Sequence, residues 1–465
     1  MEQSGENEAI DEPRWRVYVL FALFTIGSAL GNLSQTGLNA MLPTVMAEFG
    51  VEVDVGQWLT TGYMLMLGVA VPLATFLMQR LNDRAYVLLC YSLFAAGAIA
   101  DWVATGFVVM LMGRVLQAIA VGLFIPKNQT ISMTKFPPGR QATAMGIAGI
   151  ALGFAPSVGP TVGGAMDYAY GWRSFFVLIA VLSLVLLALA LPLVKGGKAT
   201  NESAQLESVS LVFSTLGFGG VLLGLSQASS YGLKSPWVWA PVIVGVVFTA
   251  LFFLRQRRVA NPLMDLRIFK SSQFNWGLIA SMFLFACFMG IALVIPLYVQ
   301  DTLGGTSLEA GLVTFPTVFT AVLVNPLSGI LADKTSPRLS ALVFGSFLAV
   351  GSVACVFVGD HTPLWLLSIW QTIRAIGVSG LVGPLLTYAL AGLQGPLVPH
   401  GSSAAVILRQ MAATFGTAIM VFCIAALLPF AASGAVGSAV PYQVAFGFSA
   451  VMSVLGMASI VTRVK

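Results

Sequence analysis

Uncharged, apolar runs of about 18 residues or more recur along the whole chain, separated by short segments that hold nearly all the basic residues. Each run is long enough to cross a hydrocarbon core of about 30 Å as a helix. Only 9% of the 465 residues are charged, against about 25% in a soluble chain. The chain therefore reads as an all-α integral membrane protein with nothing left over for a sizeable soluble domain. Its excess of basic residues does not point to nucleic acid, because these residues sit in short connections between apolar runs. Cys90, Cys287, Cys355 and Cys423 are scattered inside apolar segments without metal or disulfide spacing, as packing residues at lipid depth. The acidic start, Met1 to Pro13, lacks the basic region and cleavage site of a signal peptide, so the first span is expected to be retained.

The pattern yields fourteen spans. With the N-terminus on the cytoplasmic side, seventeen basic residues fall inside, among them Lys198 and Lys465, and only Arg173 and Lys234 outside. The positive-inside rule then places both termini in the cytoplasm. The longest inner loops, Lys195–Ser208 and Arg255–Phe274, bracket spans seven and eight, which look like an insertion. The expected organisation is a cytoplasmic tail (1–16), a six-helix half (17–194), an inserted pair with its loops (195–274) and a second six-helix half (275–465). The halves repeat. Pro72 to Arg84 aligns without gaps on Pro326 to Arg338, and Arg114-x-x-Gln117-Ala-Ile in span four mirrors Gln371-x-x-Arg374-Ala-Ile in span twelve. Repeated helical halves with a site between them are a common plan for secondary transporters.

Span five carries Gly146, Gly149, Gly153, Pro156, Pro160 and Gly163 on one helical stripe, with Gly159 and Gly164 beside it. So many glycines and prolines would break a helix in water; in a bilayer neighbouring helices can re-satisfy the backbone. The stripe serves either as a tight seam alone or as part of the transport machinery. Its string Gly153-x-x-Pro156-x-x-Gly159-Pro160-x-x-Gly163-Gly164 resembles the antiporter signature of the major facilitator superfamily. The whole chain is similar to the fourteen-helix drug:proton antiporter branch of that superfamily. Further support comes from Asn39-Ala-Met-Leu-Pro43-Thr44, Gln57-Trp58-x4-Tyr63, Trp172-Arg173, Asn261-Pro262-Leu-Met-Asp265-Leu, Ile295-Pro296-Leu-Tyr298 and Gly329-x-Leu331-x-Asp333-Lys334. The resemblance implies a major facilitator fold and export by antiport.

Several polar residues lie inside apolar runs. An arginine at bilayer depth costs roughly 2.5–3.5 kcal/mol on insertion scales, so it faces a cavity or a partner. Arg114 with Gln117, and Arg374 with Gln371, are therefore candidates for substrate contact, the alternative being structural bonds to backbone carbonyls. Lys127, followed by Asn128, points about 140° from Arg114 on an ideal helix and either joins the cavity or snorkels to the inner rim. Asn32, Ser34, Gln35 and Asn39 on span one suggest a cavity lining or interhelical hydrogen bonds, and Tyr63 completes the expected set. Related antiporters usually carry an aspartate where Ser34 stands. Proton coupling needs a group that changes charge, and within the spans only Asp101 and Glu309 are available as proton sites. With Arg114, Arg374, Lys127 and Arg409 inside and no central carboxylate, the inventory suits a neutral, zwitterionic or anionic substrate.

The loop with Gly329, Asp333, Lys334 and Arg338 resembles the family's cytoplasmic gate, where the acid pairs with basic residues and a helix end. The first-half copy has Thr75 for the glycine and Gln79 for the acid, which predicts a differently built inner gate. No phosphate-binding loop exists, so ATP is not expected to drive the chain. No nucleophile–base pair, acid pair or metal cluster appears, and neither an enzyme nor a cofactor is expected. The expected function is proton-coupled export of small amphipathic compounds from the cell membrane, with lipid and protons as the other partners. The alternatives are a transporter-like sensor or assembly protein and a carrier not coupled to protons.

Overall fold

The computed structural model describes residues 14–197, 201, 205–227, 232, 235–259, 261–434 and 436–463, without the side chains of residues 53, 54, 156, 157, 307 and 308. The terminal tail to residue 13 and the basic residues Lys198, Lys234 and Lys465 lie outside these residues. All regular elements among the described residues are helical. Among the described residues thirteen helices are long and apolar enough to cross a membrane, and the fifth span, Gln141–Tyr170, makes fourteen. Its two parts, Gln141–Ala155 and Val158–Tyr170, meet at 43°. A proline at 160 cannot donate to the carbonyl four residues back, which weakens the helix where it bends.

The first six spans are Arg14–Phe49, Trp58–Arg80, Asp83–Trp102, Phe107–Thr134, Gln141–Tyr170 and Trp172–Leu193. The last six are Ser272–Asp301, Ser307–Lys334, Pro337–Phe357, Leu364–Ala391, Leu397–Ala432 and Val440–Arg463. The first helix, at 36 residues, is well beyond the roughly 20 apolar residues that a crossing needs. A hydropathy pattern marks only what must be apolar, while backbone bonding continues past it. The ninth span is broken: helix Ser272–Phe288 gives way to Ile291–Asp301 after Met289 and Gly290.

The seventh and eighth spans, Ser208–Ser226 and Pro236–Gln256, form a pair joined backbone to backbone. A side chain at Gly217, Gly220 or Gly224 would strike Thr249, Gly245 or Val242. Small residues make such close approach possible where apolar burial gives no net drive. The pair leans on the second span, where Gly219 lies against Val69, and on the thirteenth through Val238 and Ala418. Its outer surface, including Trp237, Ile243 and Val246, is exposed, as a lipid-facing helix requires.

An even number of spans puts Arg14, where the first begins, and Arg463, where the last ends, on one face. That face also carries Arg80, Lys135, Arg140, Lys334 and Arg338, and is called the basic face below.

Candidate functional site

A cavity of about 220 Å³ lies between the two groups of six spans. Its walls bring together four of the sequence candidates, Asn32, Gln35, Gln371 and Arg374, with Gly149 and Gly153 of the fifth span. They also include residues outside the expected site: Arg409, Gln410, Asn325, Phe285 and Phe288. Arg409-Gln410 is a polar pair within an apolar run, the one signal in the sequence that could have placed it there. The phenylalanines are indistinguishable in sequence from lipid-facing ones.

Arg374 is 1% exposed. Its Nη2 donates to the Cys287 carbonyl at 2.6 Å, next to the break in the ninth span, and Ser449 Oγ donates to the same oxygen at 3.1 Å. The broken helix frees carbonyls, and the guanidinium satisfies one of them. Arg374 Nε has no protein partner. Arg409 is 3% exposed; its Nε donates to Ala405 O at 3.1 Å, its guanidinium sits 4.9 Å over the Phe285 ring, and Nη1 is unpartnered. Two buried guanidiniums thus meet a cavity whose described lining contains no carboxylate. The arrangement can receive an acceptor-rich or anionic group beside an aromatic surface.

Arg114 does not line that cavity. It is fully buried behind the wall with Ser34, Gln117 and Tyr63. Its Nη1 donates to Ser34 O at 3.2 Å, Ser34 Oγ at 2.9 Å and Gln117 Oε1 at 2.8 Å, and the guanidinium lies 4.2 Å over the Tyr63 ring. Tyr63 donates its hydroxyl proton to Gly31 O at 2.9 Å. This is a correction to the expected cavity: the four residues form a sealed cluster tying the first, second and fourth spans. Amides and a hydroxyl supply the neutral acceptors that let the cation stay dry.

Lys127 also lies away from the cavity, ion-paired to Asp83 at 2.8 Å, with Lys135 on the other carboxylate oxygen at 2.6 Å. It runs from the fourth span toward the basic face and finds a partner there, close to the snorkelling alternative. Asn128 bonds to Thr25 at 3.2 Å and lines a small separate pocket. Asn39 is exposed and outside the lining; its register on the first span carries it past the cavity.

The glycine stripe divides at the bend. On the basic-face side, Gly146 and Gly149 sit against Asn325 and Gly153 against Ala321, both of the tenth span. On the other side, Gly159 and Gly163 meet Thr36 and Gly37 of the first span, and Gly164 approaches Ala40. Pro160 is exposed, and the Pro156 side chain lies outside the description.

The gate residues meet the start of the same helix. Asp333 accepts hydrogen bonds from Ala142 N at 3.1 Å, Thr143 N at 2.7 Å and Thr143 Oγ1 at 2.6 Å. An acid of the second six spans thus caps a helix of the first, where the dipole favours negative charge. Gly329 packs on the Ala142 carbonyl with no room for a side chain. The expected basic partners serve elsewhere or project outward: Arg338 donates to Val461 O at 3.2 Å, and Lys334 is exposed. The first-half copy makes the pseudo-equivalent contact with neutral groups. Thr75 Oγ1 donates to Ser403 Oγ at 2.7 Å, and Gln79 Nε2 lies 3.2 Å from His400 Nε2 on the thirteenth span.

Of the two acids read as proton sites, Glu309 is a helix cap. Its carboxylate accepts from Thr306 N at 2.7 Å and Thr306 Oγ1 at 3.1 Å at the exposed start of the tenth span. Asp101, one residue before the end of the third span, is fully buried, and neither carboxyl oxygen has a hydrogen-bond partner.

The Major Facilitator Superfamily profile matches residues 24–417. The chain is 32% identical to YcnB, an uncharacterized transporter of Bacillus subtilis, over 89% of its own length and 88% of that protein. It is 30% identical to the lincomycin resistance protein LmrB of Listeria monocytogenes (90% and 88% covered) and 24% identical to the multidrug export protein EmrB of Escherichia coli (87% and 79%). Among solved structures, the proton:xylose symporter XylE superposes with a TM-score of 0.67 at 13% identity, covering 98% of this chain and 97% of that one. Human MFSD10 gives 0.66 at 15% identity, with 97% and 100% covered. With its cavity between two six-helix halves and its family match over most of its length, this chain is a transporter that belongs to the major facilitator superfamily.

Proposed function

We propose that this protein is a secondary active exporter that works by alternating access and exchanges small amphipathic compounds, neutral or anionic, for protons. The observation that carries the substrate class is the cavity lining: Arg374 and Arg409, each with an unpartnered N–H, and no carboxylate among the described lining residues. A lipophilic cation would meet two like charges in a low-dielectric site, whereas an anion is drawn in. The substrate-contact role expected of Arg114 passes to Arg374 and Arg409.

Alternating access is supported by where the two groups of spans touch. The cap of Asp333 on Thr143, and the contacts of Thr75, Gln79 and Thr130 with Ser403, His400 and Ser402, all cluster at the basic face. Opening that face breaks one charge-assisted cap and a few neutral bonds, a cost a transport cycle can meet. By the charge bias of its loops this face is the cytoplasmic one. Outward direction rests on the antiporter stripe and on relatives named for lincomycin resistance and multidrug export.

The test is collapse of a pH gradient in everted membrane vesicles by parallel panels of organic anions and lipophilic cations. Collapse by anions, lost in Arg374→Ala, is the expected result; collapse by cations alone would overturn the substrate class. Ser34, standing where related antiporters carry an acid, favours a second reading as a carrier not coupled to protons. That reading predicts substrate exchange with no movement of the pH gradient.

A further inference from the structure

We propose that Asp101 carries the exchanged proton in this chain, and that Arg114 is the positioning residue that transmits its charge state to the cavity wall. The proposal rests on the proton-coupled reading above.

Asp101 ends a long uncharged run on the third span and is 0% exposed. Both of its oxygens lack partners, as do Nη2 of Arg114 and Nε2 of Gln117 beside it. Its carboxyl packs on Gly113, where any side chain would overlap Oδ1, so the glycine makes the room the acid occupies. The charged and titratable groups facing it are Arg114 from the fourth span and Tyr63 from the second. Arg173, from the sixth, holds the nearby Ala104 carbonyl at 2.8 Å and is itself paired with Glu48.

A dry carboxyl with no hydrogen bond is stable as the neutral acid. Once its proton leaves, the carboxylate needs a cation, and the free end of the Arg114 guanidinium is one residue from its packing surface. The step is balanced: an O–H bond breaks, the proton passes to water, and an ion pair forms. The way to water is short, since the third span ends at Trp102, the next residue, and the connection to Phe107 that follows lies at the face opposite the basic one.

Arg114 is also the link to the substrate. In this conformation its Nη1 is committed to the carbonyl and hydroxyl of Ser34, whose neighbours Asn32, Gln35 and Thr36 line the cavity. The ring under its guanidinium, Tyr63, precedes Met64, which lines the cavity as well. Turning the guanidinium toward Asp101 loosens its hold on the first span. The two sites are thereby coupled through one side chain with two alternative partners.

The experiment compares purified full-length wild type, Asp101→Asn and Asp101→Glu. Infrared spectra across pH follow the protonated-carboxyl band. Proteoliposomes follow radiolabelled taurocholate, an amphipathic anion, and lincomycin, driven by a pH gradient or by counterflow. The expected result is a band that titrates in the wild type and is missing in Asp101→Asn. That variant loses pH-driven transport to the level of empty liposomes and keeps counterflow. Asp101→Glu shifts the band rather than removing it, and decides the matter where the asparagine variant does not fold. A band that titrates unchanged in Asp101→Asn, or pH-driven transport that survives in it, overturns the proposal. A wild type that moves neither probe in either regime counts against the exporter reading, while the infrared arm still decides Asp101.

Discussion

The carboxylate of Asp333 accepts the amide of Thr143 at 2.7 Å, so the last turn of the tenth span closes the first turn of the fifth. An N-cap acid is worth about 1 kcal/mol, roughly a fivefold bias in a two-state equilibrium. Asp333→Ala is therefore expected to move the protein toward the state open at the basic face. Thr130, 7% exposed and bonded to Ser402 across the seam, reports that opening. A cysteine introduced there should react several times faster with an impermeant maleimide applied from the basic face. Equal rates with and without Asp333 would remove the cap from any role in gating.

Among the described residues Arg374 and Arg409 are the cations that line the cavity, which Arg114 and Lys127 do not. Removing one partner of a desolvated charge contact costs about 2–5 kcal/mol. Arg374→Ala and Arg409→Ala should each weaken anion binding by about thirtyfold or more, read as a raised KM for taurocholate. Lys127→Ala should leave KM near the wild-type value and lower thermal stability, because Asp83 then keeps only Lys135. A KM that rises with Lys127→Ala and stays put with Arg409→Ala would reverse the assignment.

Neighbouring glycines of the fifth span give a sharper test of the packing. A methyl group at Gly163 would overlap the Gly37 carbonyl of the first span, whereas one at Gly164 would rest 3.6 Å from Ala40, ordinary van der Waals contact. Overpacking at a fixed backbone costs about 1–3 kcal/mol. Gly163→Ala should lower the Tm of the purified protein by several degrees, and Gly164→Ala should leave it unchanged or raise it slightly. Similar shifts for the two would mean that the seam yields easily.

How far the sequence reveals the site follows from what each signal measures. Apolar run length depends on bilayer thickness alone, so the spans are legible without an alignment. Asn32, Gln35, Gln371 and Arg374 are legible because a polar group at depth needs a wet or polar face. The same logic cannot distinguish Arg374, which lines the cavity, from Arg114, sealed by Ser34 and Gln117. Both are arginines three residues from a glutamine, and only tertiary packing decides which face is dry. The break after Phe288 is hidden for another reason. Its residues Met289 and Gly290 are compatible with a continuous membrane helix, and the contacts found at the interruption, the Arg374 bond to Cys287 and the close approach of Gly416 of the thirteenth span to Ala286, are tertiary.

The connection into the seventh span carries a pH-dependent contact outside the membrane. Glu207 caps that helix and forms a two-pronged ion pair with Arg255, donated by Nε at 2.9 Å and by Nη2. The hydrogen bonds from Arg255, with help from Ser210, hold the Glu207 carboxyl down at about 2, below its usual 4.5. A carboxylate depressed in the folded state adds stability above its unfolded value. That contribution is fully present above about pH 4.5 and is lost as the pH falls toward 2. The pair is partly exposed and screened by salt, so the effect is small and shrinks at high ionic strength. Thermal unfolding followed from neutral to acid pH should show a decline over this window in the wild type that Glu207→Gln has already lost at neutral pH. The difference between the two proteins should close as the pH drops. A constant gap across the window would mean that the charge of Glu207, and with it the ion pair to Arg255, contributes nothing to the difference.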